Sequence, residues 1–113
     1  VKIRAHHYSL EPGPDPWRAA RSPRQGALLE VAFDDGTTGY ADLHPWTGFG
    51  HAPLADHLGS LAADQPTHLA NLALRHARTD AAARRAGVSL FEGLPEVRSH
   101  ALFTGWTEAP CSA

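Results

Sequence analysis

Gly39-Tyr40-Ala41-Asp42-Leu43-His44-Pro45-Trp46-Thr47-Gly48-Phe49-Gly50 begins as a strand and ends as a loop. Strand side chains alternate, so Tyr40 and Asp42 face one side of a sheet while Ala41 and Leu43 face the other. Pro45 lacks a backbone donor and favours an extended residue before it, which ends the ladder near His44. Beyond it, Trp46 and Phe49 are large apolar groups in a loop punctuated by glycine. Such a loop either folds down onto a core or is held out over a ligand, and the rest of the chain favours the second arrangement.

Immediately before this stretch, Asp34-Asp35-Gly36 reads as a hairpin turn, with Asp-Gly supplying positive backbone angles. It joins a strand over residues 26–33 to an antiparallel strand over residues 37–43. A first strand spans residues 2–10. Residues 11–16 hold three prolines and a glycine and read as a connection. Residues 17–25, with Arg18, Arg21 and Arg24 around Pro23, fit a long loop.

The C-terminal side is helical. Pro53 suits a first turn. Leu54, Leu58, Leu61 and Ala62 follow at the spacing of one helix face. Gln65-Pro66 breaks that helix and Thr67 can cap the next. Leu69, Leu72, Ala73, Ala77 and Ala81 share a side of the second helix, whose alanines allow close approach to a neighbour. Gly87 is the expected stop. Residues 88–94 form a short apolar link, and residues 97–103 read as one more strand. The predicted fold class is α+β: a three-stranded antiparallel sheet with a helical layer on one face.

Composition narrows the function classes. The 113 residues suffice for one small domain. With 42% apolar and 19% charged residues the chain belongs with folded proteins rather than disordered ones. A formal charge of −2 gives no support to nucleic-acid binding. The single cysteine, Cys111, cannot form an internal disulfide, and no stretch reads as a signal sequence or a membrane span, so a cytoplasmic location is expected.

Thr79-Asp80-Ala81-Ala82-Ala83-Arg84-Arg85-Ala86-Gly87-Val88-Ser89-Leu90-Phe91-Glu92-Gly93-Leu94 resembles the end of the N-terminal capping domain of the enolase superfamily. There a helix with an aspartate and small residues runs into Ala-Gly-Val-Pro-Leu and a glycine-containing link; here Ser89 stands in place of the proline. The hairpin followed by residues 39–50 is similar to the o-succinylbenzoate synthase branch, in the muconate lactonizing enzyme subgroup. The order and spacing of these motifs, over roughly residues 2–103, strengthen the match.

The resemblance implies a division of labour. The capping domain covers the mouth of a (β/α)-barrel, and two of its loops contact the substrate and exclude water. The barrel supplies acid and base lysines and three carboxylates that hold Mg²⁺, which stabilises an enediolate before water is eliminated on the menaquinone route. Residues 1–95 would be the cap and residues 96–113 the start of the barrel, truncated here. The only lysine is Lys2, on the first capping strand. The chain is therefore expected to be inactive alone, to bind no metal itself, and to need a barrel in cis or in trans.

The family substrate bears carboxylates, which arginine can grip with two parallel hydrogen bonds. Arg21, Ser22 and Arg24 in the first loop, and His44, Trp46 and Phe49 in the second, are the implied substrate-binding residues; no catalytic residue is expected in this chain. Asp42 and His44 are too few to hold a metal. The eight histidines read as scattered surface or half-buried groups, and Asp80 is assigned a structural role. Related lids also serve racemases of N-acylamino acids, which leaves the exact substrate open. The alternative function is a free-standing, non-catalytic α+β domain that uses the same loops for another ligand or a partner subunit.

Overall fold

Alternation along three segments produces a sheet with one apolar face, and two amphipathic helices cover it. The computed structural model describes residues 1–11, 23–96, 98 and 99. Strands β1 (Lys2–Leu10), β2 (Arg24–Ala32) and β3 (Thr38–Leu43) form an antiparallel sheet in the order β1-β2-β3. Helices α1 (Leu54–Ala62) and α2 (His68–Ala86) follow. This is the expected α+β layer. The expectations for residues 12–22 and for Cys111 lie outside the described residues. So does nearly all of the strand expected at residues 97–103.

The core is small. Ala27, Leu29 and Val31 of β2 meet Ala41 and Leu43 of β3 on the helix-facing side, joined by Leu54, Ala73 and Ala77. Leu29, Val31 and Leu43 are the largest fully buried side chains, each contributing about 1.5–3 kcal/mol through burial. Helix α2 lies on β3 through Ala70, Ala73, Ala77 and Ala81, all buried. The approach is so close that a Cβ on Gly39 would sit 1.9 Å from the Ala77 carbonyl oxygen. A stripe of alanines facing a glycine therefore sets the distance between helix and sheet.

Several local expectations change. Strand β2 starts earlier than read, because β1 stays in register with it to the Leu10–Arg24 pair and Gln25 donates to Ser9 at 3.0 Å. Arg24 is thus a strand residue rather than a loop residue. The hairpin turn uses one positive angle, not two: Gly36 has φ 86°, while Phe33 N–H donates to the Thr37 carbonyl at 2.8 Å. This closes a three-residue loop of the kind whose last residue is left-handed. In α1, Ala62 is exposed and His57 is buried in its place, beside Leu54.

His57 corrects the expectation that the histidines are surface or half-buried groups, since it is only 4% exposed. Its Nε2 faces the Ala52 carbonyl at 3.0 Å and its Nδ1 meets Thr67 Oγ1 at 2.7 Å. A carbonyl only accepts, so Nε2 carries the proton and Nδ1 accepts from Thr67. Thr67 Oγ1 in turn accepts from Ala70 N–H, which is the expected N-cap of α2. Ser60 Oγ donates to the His57 carbonyl and accepts from Thr67 N–H. This network joins the end of one helix to the start of the next. Gly87 ends α2 in the left-handed conformation, as the sequence suggested.

Asp80 has the structural role assigned to it. Its carboxylate accepts from Tyr40 N–H at 2.9 Å, on the edge of β3 that faces away from β2, and from Arg84 Nε at 2.7 Å. A side chain of α2 thus satisfies a sheet-edge donor that none of β1, β2 and β3 pairs.

Candidate functional site

On the helix-free face of the sheet, two rows of side chains flank the row His6, Leu28, Asp42. One row runs Arg4, Glu30, Tyr40: Arg4 lies 3.6 Å from Glu30 and Tyr40 Oη donates to Glu30 at 3.1 Å. The other row lies at the opposite end of the strands, where β3 passes into its loop. There Tyr8 of β1 stands opposite Gly26 of β2. Because Ala27 pairs with Leu43, His44 occupies the next position across from Gly26.

Gly26 makes this second row. A Cβ there would lie 2.4 Å from Tyr8 Cζ and Oη and 2.8 Å from His44 Nδ1. Without it, Tyr8 reaches across the middle strand. Its hydroxyl donates to Asp42 Oδ1 at 2.6 Å and lies 2.8 Å from His44 Nδ1. Burial, the Asp42 hydrogen bond and the Asp42 charge push the Tyr8 phenol from 10.0 up to about 12, against an opposing pull from Arg24. The far nitrogen of His44, Nε2, is buried and has no hydrogen-bond partner among the described residues. An unpaired buried polar group costs about 1–3 kcal/mol.

From His44 a chain of rings leads outward. Tyr8 and His44 are 5.7 Å apart by ring centroids, His44 and Trp46 6.0 Å, and Trp46 and Phe49 5.6 Å. The Arg24 guanidinium sits 4.3 Å from the Trp46 ring centre, a cation–π contact. Phe49 is 81% exposed and Trp46 42% exposed, so neither is folded down into the core. A single 3₁₀ turn over Thr47–Phe49 shapes the loop. His51 closes it, its Nδ1 accepting from Trp46 N–H at 2.9 Å.

Four of the six residues selected from the sequence therefore come together: Arg24, His44, Trp46 and Phe49. Arg21 and Ser22 lie outside the described residues. Sequence reading missed Tyr8, Gly26 and His51. Gly26 carried a legible signal, because a glycine inside a strand often marks a close approach. Tyr8 and His51 had none, since their roles follow from register and from loop closure.

This corner offers a cation stacked on an indole, an apolar rim and a buried imidazole nitrogen. It can grip a small anion with an apolar body. Among the described residues, no three His, Cys, Asp or Glu side chains converge to hold a metal ion, and Asp42 and His44 are linked through Tyr8. A second, shallow cleft lies between the hairpin turn and the end of α2, lined by Asp35, Thr37, Arg84 and Arg85. Arg84 is committed to Asp80 there, and a helix C-terminus disfavours anions. No described helix is long and apolar enough to cross a membrane.

Residues 3–83 match the family described as "O-succinylbenzoate synthase, N-terminal domain". The chain is also similar to an o-succinylbenzoate synthase of Bdellovibrio bacteriovorus, 32% identical over 105 residues. That alignment covers 92% of this chain and 32% of the relative, so the chain spans about a third of the relative's length.

Proposed function

Because the chain belongs to the o-succinylbenzoate synthase N-terminal domain family, we propose that it is the substrate-capping portion of an o-succinylbenzoate synthase-like lyase of the enolase superfamily. Residues 1–95 form the cap, and residues 96–113 begin a catalytic (β/α)-barrel supplied in cis or in trans. The reaction is a dehydration in menaquinone biosynthesis, in the cytoplasm, on a substrate bearing carboxylates. Mg²⁺ would be held by the barrel.

The cap contributes binding and exclusion of water. Arg24, with Arg21 and Ser22 from the adjoining segment, takes a substrate carboxylate. Trp46 and Phe49 cover the apolar body, and His44 lies beneath them. Closing such a lid strengthens every electrostatic contact inside. The observation that carries this reading is the exposure of Phe49 and Trp46, with the Arg24 guanidinium over the Trp46 ring.

The test is a hybrid in which this chain replaces the aligned third of the Bdellovibrio bacteriovorus synthase. The hybrid should dehydrate the synthase substrate. Arg24→Ala should lower its kcat/KM by about tenfold or more, the worth of one charge-assisted hydrogen bond. An active hybrid indifferent to Arg24→Ala and Trp46→Ala would refute the role given to this corner. A parallel assay for racemisation of N-acylamino acids would separate the two substrate classes.

A further inference from the structure

Tyr8 has one hydroxyl proton, and its two neighbours compete for it. Asp42 lies 2.6 Å away and His44 Nδ1 2.8 Å away. A carboxylate accepts and cannot donate, so the proton goes to Asp42. The phenol oxygen then has only lone pairs to offer His44, and the contact at Nδ1 requires a hydrogen on that nitrogen. In a neutral imidazole the other nitrogen, Nε2, must then be the acceptor.

We propose that Tyr8 and Asp42 are a positioning pair that holds His44 in its Nδ1–H tautomer, so that the ring at the base of the Trp46–Phe49 loop buries an acceptor nitrogen rather than an orphaned N–H. The burial of Nε2 points the same way. That atom has no partner among the described residues, and a buried unpaired N–H is rarer than an unfilled acceptor. The opposite tautomer would both orphan a donor and set two lone pairs against each other at 2.8 Å. The elevated Tyr8 pKa reflects burial first and then the same hydrogen bond to Asp42. This assignment does not rest on the capping function proposed above.

Nitrogen–proton correlation NMR on the isotope-labelled full chain, with the imidazole neutral, reads the tautomer directly. His44 should show a protonated Nδ1 and a bare Nε2. Tyr8→Phe should relax the ring toward the Nε2–H form. Asp42→Ala, at an exposed position, frees the phenol proton for Nδ1 and should turn the ring over to Nε2–H. A protonated Nε2 in the unmodified chain, or an unchanged pattern in Asp42→Ala, would overturn the tautomer assignment.

Discussion

Tyr8 shows how much one missing side chain can arrange. With Gly26 between them, a phenol on one edge strand reaches an aspartate and a histidine on the other. The phenol is held protonated, which gives a pH prediction. Its folded pKa is raised, so its contribution to stability is complete below 10.0 and is lost as the pH rises toward about 12. Phenolate absorbance should therefore show Tyr8 titrating late, with Tyr40 also raised by its hydrogen bond to Glu30, and Asp42→Ala should bring the Tyr8 step earlier. Asp80 behaves in the opposite sense. Burial raises its carboxyl, but the hydrogen bonds from Arg84 and Tyr40 N–H, with the Arg84 charge, outweigh burial and hold it below 3.8. Its contribution is present above 3.8 and is lost as the pH falls through the lowered value. Asp80→Asn should reduce stability at neutral pH by about 1 kcal/mol, since the group is partly screened. The same change should flatten the acid limb of a denaturation series. The sequence showed Asp80 on a helix with Arg84 one turn on, and that pairing was legible. Its bond to Tyr40 N–H was not, because backbone donors at a sheet edge carry no side-chain signature.

At the scale of elements, the seating of α2 on β3 is the decisive contact. Gly39→Ala places a methyl group 1.9 Å from the Ala77 carbonyl, so the helix must lift from the sheet. Overpacking of this kind costs about 1–3 kcal/mol or more, measurable as a lowered denaturation midpoint with an unchanged slope. Gly36→Ala meets no such obstacle and costs only its left-handed angle, so it should be the milder change. Helix periods, the Thr67 cap and the Gly87 stop were readable because each is a local rule acting within a few residues. The buried face of α1 was only partly readable. His57 takes a core position because two partners outside its own helix, the Ala52 carbonyl and the Thr67 hydroxyl, satisfy its ring, and a polar residue does not announce such partners. The strand boundaries moved by a residue or two for a related reason: register with β1, not local composition, decides where β2 begins.

For the molecule as a whole, apolar side chains remain outside the core. Phe49 stands out from the loop corner, and Val88, Leu90, Phe91 and Leu94 are exposed after α2. Ser89 Oγ accepts from Phe91 N–H and shapes the turn that displays them. Exposed apolar surface promotes association, so light scattering from the isolated chain should rise with concentration, and Phe49→Ser with Phe91→Ser should suppress it. The corner of Arg24, His44, Trp46 and Phe49 was chosen from the sequence through family likeness together with the glycine- and proline-bounded loop. The support beneath it, from Tyr8 to His51, became visible only once three strands lay side by side. The central claim is that this chain is a lid for chemistry carried elsewhere, and reconstitution in trans tests it most directly. The chain, the separately expressed remaining portion of the Bdellovibrio bacteriovorus synthase, and their mixture are each assayed for dehydration with Mg²⁺ present. Activity that appears only in the mixture, and falls with Arg24→Ala, is the predicted result; turnover by the chain alone, or by the remaining portion at an undiminished rate without it, would contradict the account.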